Sequence, residues 1–166
     1  VYRETTNGAL WHWGEVPTPR SRPHDPALAP DGSLWYTGQG ANKLGRLDPK
    51  TGEFKEFPLK TPNSGPHGLV ADKEGNIWFT AMSGGYIGKL DPKTGAITEY
   101  HAPQGAEIDP HTPVFDHNGI LWFTNEETNY IGRLDPSTGK MTLAKSPTPC
   151  CPLRHCGHTR QCAFLL

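Results

Sequence analysis

Cysteine is missing from the first 149 residues of this 166-residue chain. No apolar run approaches the roughly 20 residues that a membrane-spanning helix needs, and the first residues, VYRETTNGALWHWGEV, lack the basic-then-apolar layout of a signal peptide. Neither sign of charge prevails: 16 Lys and Arg stand against 17 Asp and Glu, a formal net charge of −1. A nucleic-acid binder driven by bulk charge is thereby excluded. Apolar residues are also scarce, at 34%, while 19 glycines and 17 prolines punctuate the chain. That density excludes a helix bundle and belongs to many short strands joined by turns. The chain reads as soluble, with no membrane partner. Its first residue is Val rather than Met, which leaves the compartment open.

What is present is a repeat. RPHDPALAPDGSLWYTGQGANKLGRLDPKTGEFKEFPL, GPHGLVADKEGNIWFTAMSGGYIGKLDPKTGAITEYHA and DPHTPVFDHNGILWFTNEETNYIGRLDPSTGKMTLA superpose almost without gaps. His24, His67 and His111 are 43 and 44 residues apart, and Trp35, Trp78 and Trp122 keep the same two intervals, as do Gly45, Gly88 and Gly132. Each copy reads as four short strands. The first follows the Pro-His pair, the second is LWYT, IWFT or LWFT, the third KLGRL, YIGKL or YIGRL, and the fourth EFKEF, AITEY or KMTLA. Asp31-Gly32, Glu74-Gly75 and Asn118-Gly119 are placed for the first hairpin of each copy, where positive φ favours Gly, and Asp-Pro-x-Thr-Gly runs beginning at Asp48, Asp91 and Asp135 for the third.

Four strands in every ~40–45 residues is the signature of a β-propeller blade. The fold expected is all-β: three four-stranded blades of a longer propeller, plus part of an outer strand from a preceding blade. Residues 1–20 would supply that outer strand and its exit loop, since VPTPRSRPH parallels LKTPNSGPH before His67; the blades would span 21–64, 65–107 and 108–149. The tryptophans would pack between neighbouring blades. Propellers close with about four to eight blades, so three do not make a ring.

Residues 150–166 break the pattern. Cys150, Cys151, Cys156 and Cys162 all fall here, with His155 and His158, but C-C-x4-C-x5-C lacks the paired CxxC knuckles of a zinc site. The genetic code offers another account. Pro152 to His158 can be written CCC-CTA-CGG-CAT-TGT-GGT-CAC, which one nucleotide out of step reads Pro-Tyr-Gly-Ile-Val-Val, the expected opening strand of a further blade. The segment from about Cys150 onward is therefore read as an out-of-frame translation or a sequencing error, carrying no evolved function.

Function is sought where the copies differ, at strand starts and hairpin tops around the central channel. The shared Pro-His invites a structural role, Pro fixing the turn and His bonding a neighbouring blade's backbone. Only the third copy has an acid before its Pro-His, Asp109-Pro110-His111, and acids after its Trp-Phe-Thr strand, Glu126 and Glu127. Carboxylates at the head of one strand and the end of the next would sit side by side at the rim. Two such groups with water suit Mg²⁺, and an adjacent His exchanges protons near neutral pH. The plain alternative is that Asp109 initiates a turn and the glutamates are ordinary solvated loop acids.

The elements PHG[IL], [IL]WFT, N-x-IGRL and ITEY/F resemble those of the virginiamycin B lyase family over about residues 13–149. The resemblance implies a seven-bladed propeller, monomeric at full length. It also implies a Mg²⁺-dependent carbon–oxygen lyase that opens a cyclic depsipeptide, a streptogramin B antibiotic, by elimination at its ester, a resistance activity. Carried over residue by residue, His67 matches the substrate-contacting His, Asp109 and Glu126 the two metal-binding acids, and His111 the proton-transferring, catalytic residue. His24, one blade earlier, is expected to bind substrate with His67. Asp109 stands where the family has Glu, a reach shorter by one methylene. Two other readings are a non-catalytic propeller that binds a peptide, glycan or protein, and a metal-dependent, lactonase-like hydrolase. The three-blade piece on its own is expected to be inactive.

Overall fold

The computed structural model describes residues 2–4, 10–12 and 15–146, with side chains placed for 15–146. The Cys-rich segment lies outside the described residues. Three antiparallel four-stranded sheets follow one another along the chain, each in simple sequence order. The first comprises β3 (Pro23–Leu28), β4 (Leu34–Gly38), β5 (Lys43–Leu47) and β6 (Phe54–Pro58). The second comprises β7 (Pro66–Ala71), β8 (Ile77–Ala81), β9 (Tyr86–Leu90) and β10 (Ile97–His101). The third comprises β11 (Pro110–Phe115), β12 (Leu121–Asn125), β13 (Tyr130–Asp135) and β14 (Lys140–Lys145). A single 3₁₀ turn, Gln39–Ala41, interrupts the strands among the described residues. The inner strands β3, β7 and β11 lie beside one another in turn, which is the blade arrangement of a propeller.

Ahead of them, β1 (Tyr2–Glu4) and β2 (Leu10–His12) pair antiparallel, with Arg3 opposite Trp11. Two strands thus stand where one outer strand was expected. Asn7-Gly8, a strong hairpin dipeptide, falls between them in the sequence and was the available signal. The predicted parallel between VPTPRSRPH and LKTPNSGPH is physical. The hydroxyl of Thr18 donates to the carboxylate of Glu56 and that of Thr61 to Glu99, the same bond one repeat on.

The strand pattern follows from where each face goes. Side chains alternate across a strand, so the middle sheet presents one face to each neighbour. Ile77 and Phe79 of β8 join Trp35, Leu44 and Phe57 of the first sheet in one core, while Trp78 joins Leu121, Phe123 and Leu134 of the third in another. A strand buried on both sides reads as continuously apolar, hence IWFT. Within their own sheets Trp35 stacks on Phe57 at 5.3 Å and Trp78 on Tyr100 at 5.4 Å, and both tryptophans are 1% exposed; their place in cores shared with the next sheet shows that they pack between blades as expected. Each large apolar side chain buried in this way contributes about 1.5–3 kcal/mol.

The repeated Gly of the third strand has a steric cause. Gly45, Gly88 and Gly132 pair across the ladder with Tyr36, Phe79 and Phe123. Each ring lies flat over its glycine, so a Cβ there would sit 1.9, 2.1 or 2.0 Å from ring carbons. The hairpin glycines Gly32, Gly75 and Gly119 meet nothing within 4 Å and are required instead by φ of +82°, +87° and +77°.

Candidate functional site at the inner-strand rim

Each inner strand begins with an irregularity. The register between first and second strands shifts between Pro23 and Pro26, between Pro66 and Leu69, and between Pro110 and Pro113. Proline has no N–H to give the ladder, and a bulge re-aims the residues within it. The Pro-His pair sits at this point in every blade.

A threonine relay then locks blade to blade. Thr37 Oγ1 accepts the Asp25 N–H at 3.2 Å within its own sheet and donates to the His67 carbonyl of the next at 2.6 Å. Thr80 Oγ1 repeats this, accepting from Gly68 N at 2.8 Å and donating to the His111 carbonyl at 2.7 Å. The expected bond between the Pro-His unit and a neighbouring blade therefore exists, but it uses the histidine's carbonyl and a threonine hydroxyl, leaving the imidazole free for another purpose. Both threonines are wholly buried, so an apolar replacement would strand two backbone groups.

Freed in this way, the imidazoles converge. His24 and His67 have ring centroids 3.9 Å apart, as do His67 and His111, with planes tilted by 45° and 41°. His67 is the buried middle member, and its Nδ1 has no hydrogen-bond partner within the protein. Burial, chiefly, and then the neighbouring charges of His111 and His24 hold its pKa below the usual histidine value, with Asp25 and Glu126 opposing. Neutral imidazole is the form that accepts a hydrogen bond or ligates a metal. The exposed His24 bonds through Nδ1 to Asp25 Oδ1 at 2.8 Å, and His111 through Nδ1 to Thr112 Oγ1 at 2.9 Å.

Asp109 and Glu126 also adjoin, through the backbone: Glu126 N–H donates to the Asp109 carbonyl at 3.3 Å. The Asp109 carboxylate holds the loop after β12, accepting from the Glu127 N–H and, at 2.7 Å, from the Thr128 hydroxyl. Each of its oxygens takes one bond and retains a second lone pair. Asp109 and Glu126 thus offer hard oxygen donors, one of them oriented by the loop, a set that fits Mg²⁺ with water completing the shell. Among the described residues they are not part of a three-ligand group; that group is His24, Asp25 and His67. Asp25 was not singled out from the sequence, although it is a blade-specific departure at a position where the later copies carry Gly68 and Thr112.

The pattern of the virginiamycin B lyase family matches residues 1–153. The chain belongs to that family. Among solved structures it is similar to virginiamycin B lyase from Staphylococcus aureus, at 35% identity and a TM-score of 0.79, over 89% of this chain and 49% of that one. A catalytically inactive histidine-to-alanine variant of the S. aureus lyase, solved with quinupristin, matches at 34% identity and 0.78, over 89% and 49%. A streptogramin B lyase matches at 37% identity and 0.78, over 89% and 48%. The chain spans about half the length of these structures. Comparison with curated protein sequences gave no match. No helix among the described residues is long and apolar enough to cross a membrane.

Proposed function

We propose that the three sheets are consecutive blades of a lyase that opens a cyclic depsipeptide of the streptogramin B class by elimination. The observation that carries this is the convergence of His24, His67 and His111, ring against ring at 3.9 Å. The Asp109–Glu126 pair lies at the same end of the strands, in a chain whose family relatives include a quinupristin complex.

Asp109 and Glu126 would hold Mg²⁺, which supplies Lewis-acid polarisation of a substrate carbonyl. His111 is the proton carrier. Its Nδ1 is fixed by Thr112, which leaves the other ring nitrogen to take a proton from the carbon next to that carbonyl. The electron pair left on that carbon forms the new double bond and expels the ester carboxylate from the β-position. No water is consumed. His67, kept neutral by burial, and His24 contact the ring and orient it. Strand-borne side chains suit such placement, because the ladder and the threonine relay fix the backbone beneath them.

The test is turnover of quinupristin by the full-length protein that contains these sheets, followed by product mass. Elimination leaves the mass unchanged and hydrolysis adds water, the outcome a lactonase-like enzyme would give. His111→Ala and Asp109→Asn should each lower kcat/KM by at least about 100-fold, the scale of general acid–base contributions. Turnover surviving both substitutions would remove the assignment, and absence of any turnover would favour a binding module.

A further inference from the structure

We propose that His24, Asp25 and His67 form a second cation site, separate from the Asp109–Glu126 pair, that takes a borderline transition ion such as Zn²⁺ or Co²⁺. One donor atom from each of the three side chains lies within 4.8 Å of the others. The donors come from the adjacent inner strands β3 and β7, whose bulges and intervening Thr37 bond hold them in register.

Three observations point to a ligand here. His67 is 6% exposed, and its Nδ1 is buried without any partner. Buried polar atoms are nearly always satisfied, so an orphaned ring nitrogen asks for one. His24 and Asp25 already bring Nδ1 and Oδ1 to 2.8 Å of each other, so both donors are held together on β3. Finally, only the first blade places a carboxylate after its Pro-His, the others having Gly68 and Thr112, so the His67–His111 junction has two imidazoles but no such acid.

The donor set decides the metal. Two imidazole nitrogens and one carboxylate oxygen suit Zn²⁺, Co²⁺ or Ni²⁺, whereas Mg²⁺ and Ca²⁺ take shells of oxygen. Three protein ligands leave a coordination position open to water or a small anion. Because His67 is also a proposed substrate contact, an ion held here would compete with substrate for that ring.

The experiment titrates the full chain with Co²⁺ and Zn²⁺ against a chelating dye. Its background carries Cys150→Ser, Cys151→Ser, Cys156→Ser and Cys162→Ser, so that tail thiols do not bind the metal. One equivalent should bind with a cobalt spectrum free of thiolate bands, and excess Mg²⁺ should not displace it. His24→Gln and Asp25→Asn should each weaken affinity at least about tenfold. Both residues are solvent-accessible, so these variants should fold, and thermal unfolding checks that they do. Affinity unchanged in both variants, or no stoichiometric binding in the Cys-free background, overturns the site. The readout is metal affinity, so it can fail while the lyase reading stands, and the reverse.

Discussion

A single atom separates a tolerated from a forbidden residue beneath the blade's aromatic ring. In Gly88→Ala the methyl would lie 2.1 Å from Phe79 Cζ, and the ring, wholly buried, has no exit. Overpacking of this kind costs about 1–3 kcal/mol, and the closeness here places the substitution at or above the top of that range. Chemical denaturation should show the loss, and adding Phe79→Leu should recover part of it; a strictly additive double variant would remove the ring-on-glycine account. The first blade places a phenol in the same position, with a consequence at high pH. Burial, then the charge of Glu56, whose carboxylate accepts a hydrogen bond from the phenol at 3.4 Å, pushes Tyr36 up to about 12. The unfolded chain ionises that phenol near 10, so the neutral form favours the fold below pH 10 and the contribution is lost as pH rises through 12. Stability should therefore fall across that interval, and less steeply in Tyr36→Phe. Tyr86 and Tyr100 are also shifted upward by burial and keep part of the slope. Identical slopes in the two proteins would count against it.

At the scale of the strand, the question is how closely two inner strands can approach. Gly68 answers it for β7 and β11: a Cβ there would stand 2.4 Å from the His111 carbonyl oxygen and 2.5 Å from Pro113 Cδ. That carbonyl is the acceptor for Thr80, so Gly68→Ala should push β11 outward and weaken the interblade bond together. Amide exchange should quicken in β11 and its sheet while the first sheet is unchanged; equal protection throughout would refute the close-approach argument. Strands and turns were legible in the sequence because each rests on a residue repeated in register, whereas the ring-to-ring meeting of His24, His67 and His111 was not read from it. Trp, Gly and Pro-His recur at one period, but of these only Pro-His heads the inner strands, which lie beside one another, so only its side chains meet their equivalents. The threonine relay was hidden because a hydroxyl inside an apolar strand gives no sign of which carbonyl it will find. Asp25 was hidden for the opposite reason, as a lone change inside an otherwise shared motif. The loop bonds of Asp109 depend on the path of residues 126–128, which no periodicity encodes.

For the whole molecule, the sheets differ in how much of their faces they cover. Trp35 and Trp78 are 1% exposed, whereas Trp122 is only half-buried; Thr37 and Thr80 are wholly buried, whereas Thr124 is exposed. Thr124 Oγ1 already accepts the Thr112 N–H, the first half of the relay, and among the described residues no counterpart of the His67 or His111 carbonyl faces it. One further period beyond His111 falls in the segment where the cysteines begin, and there the shifted frame reads Pro-Tyr-Gly-Ile-Val-Val. The family pattern extends only to residue 153, and the related structures are about twice as long. Resequencing the source DNA should accordingly find one nucleotide gained or lost near the codons before Pro152. The frame-corrected protein should bury Trp122 as its counterparts are buried, shifting its fluorescence to the blue and shielding it from acrylamide. The new strand's tyrosine carbonyl should accept from Thr124, so that Thr124→Val destabilises the corrected protein by about 1–3 kcal/mol and the present chain hardly at all. An unbroken frame across many independent reads would instead make the cysteine segment a genuine part of the protein. Thr124→Val would then be near-neutral in every version.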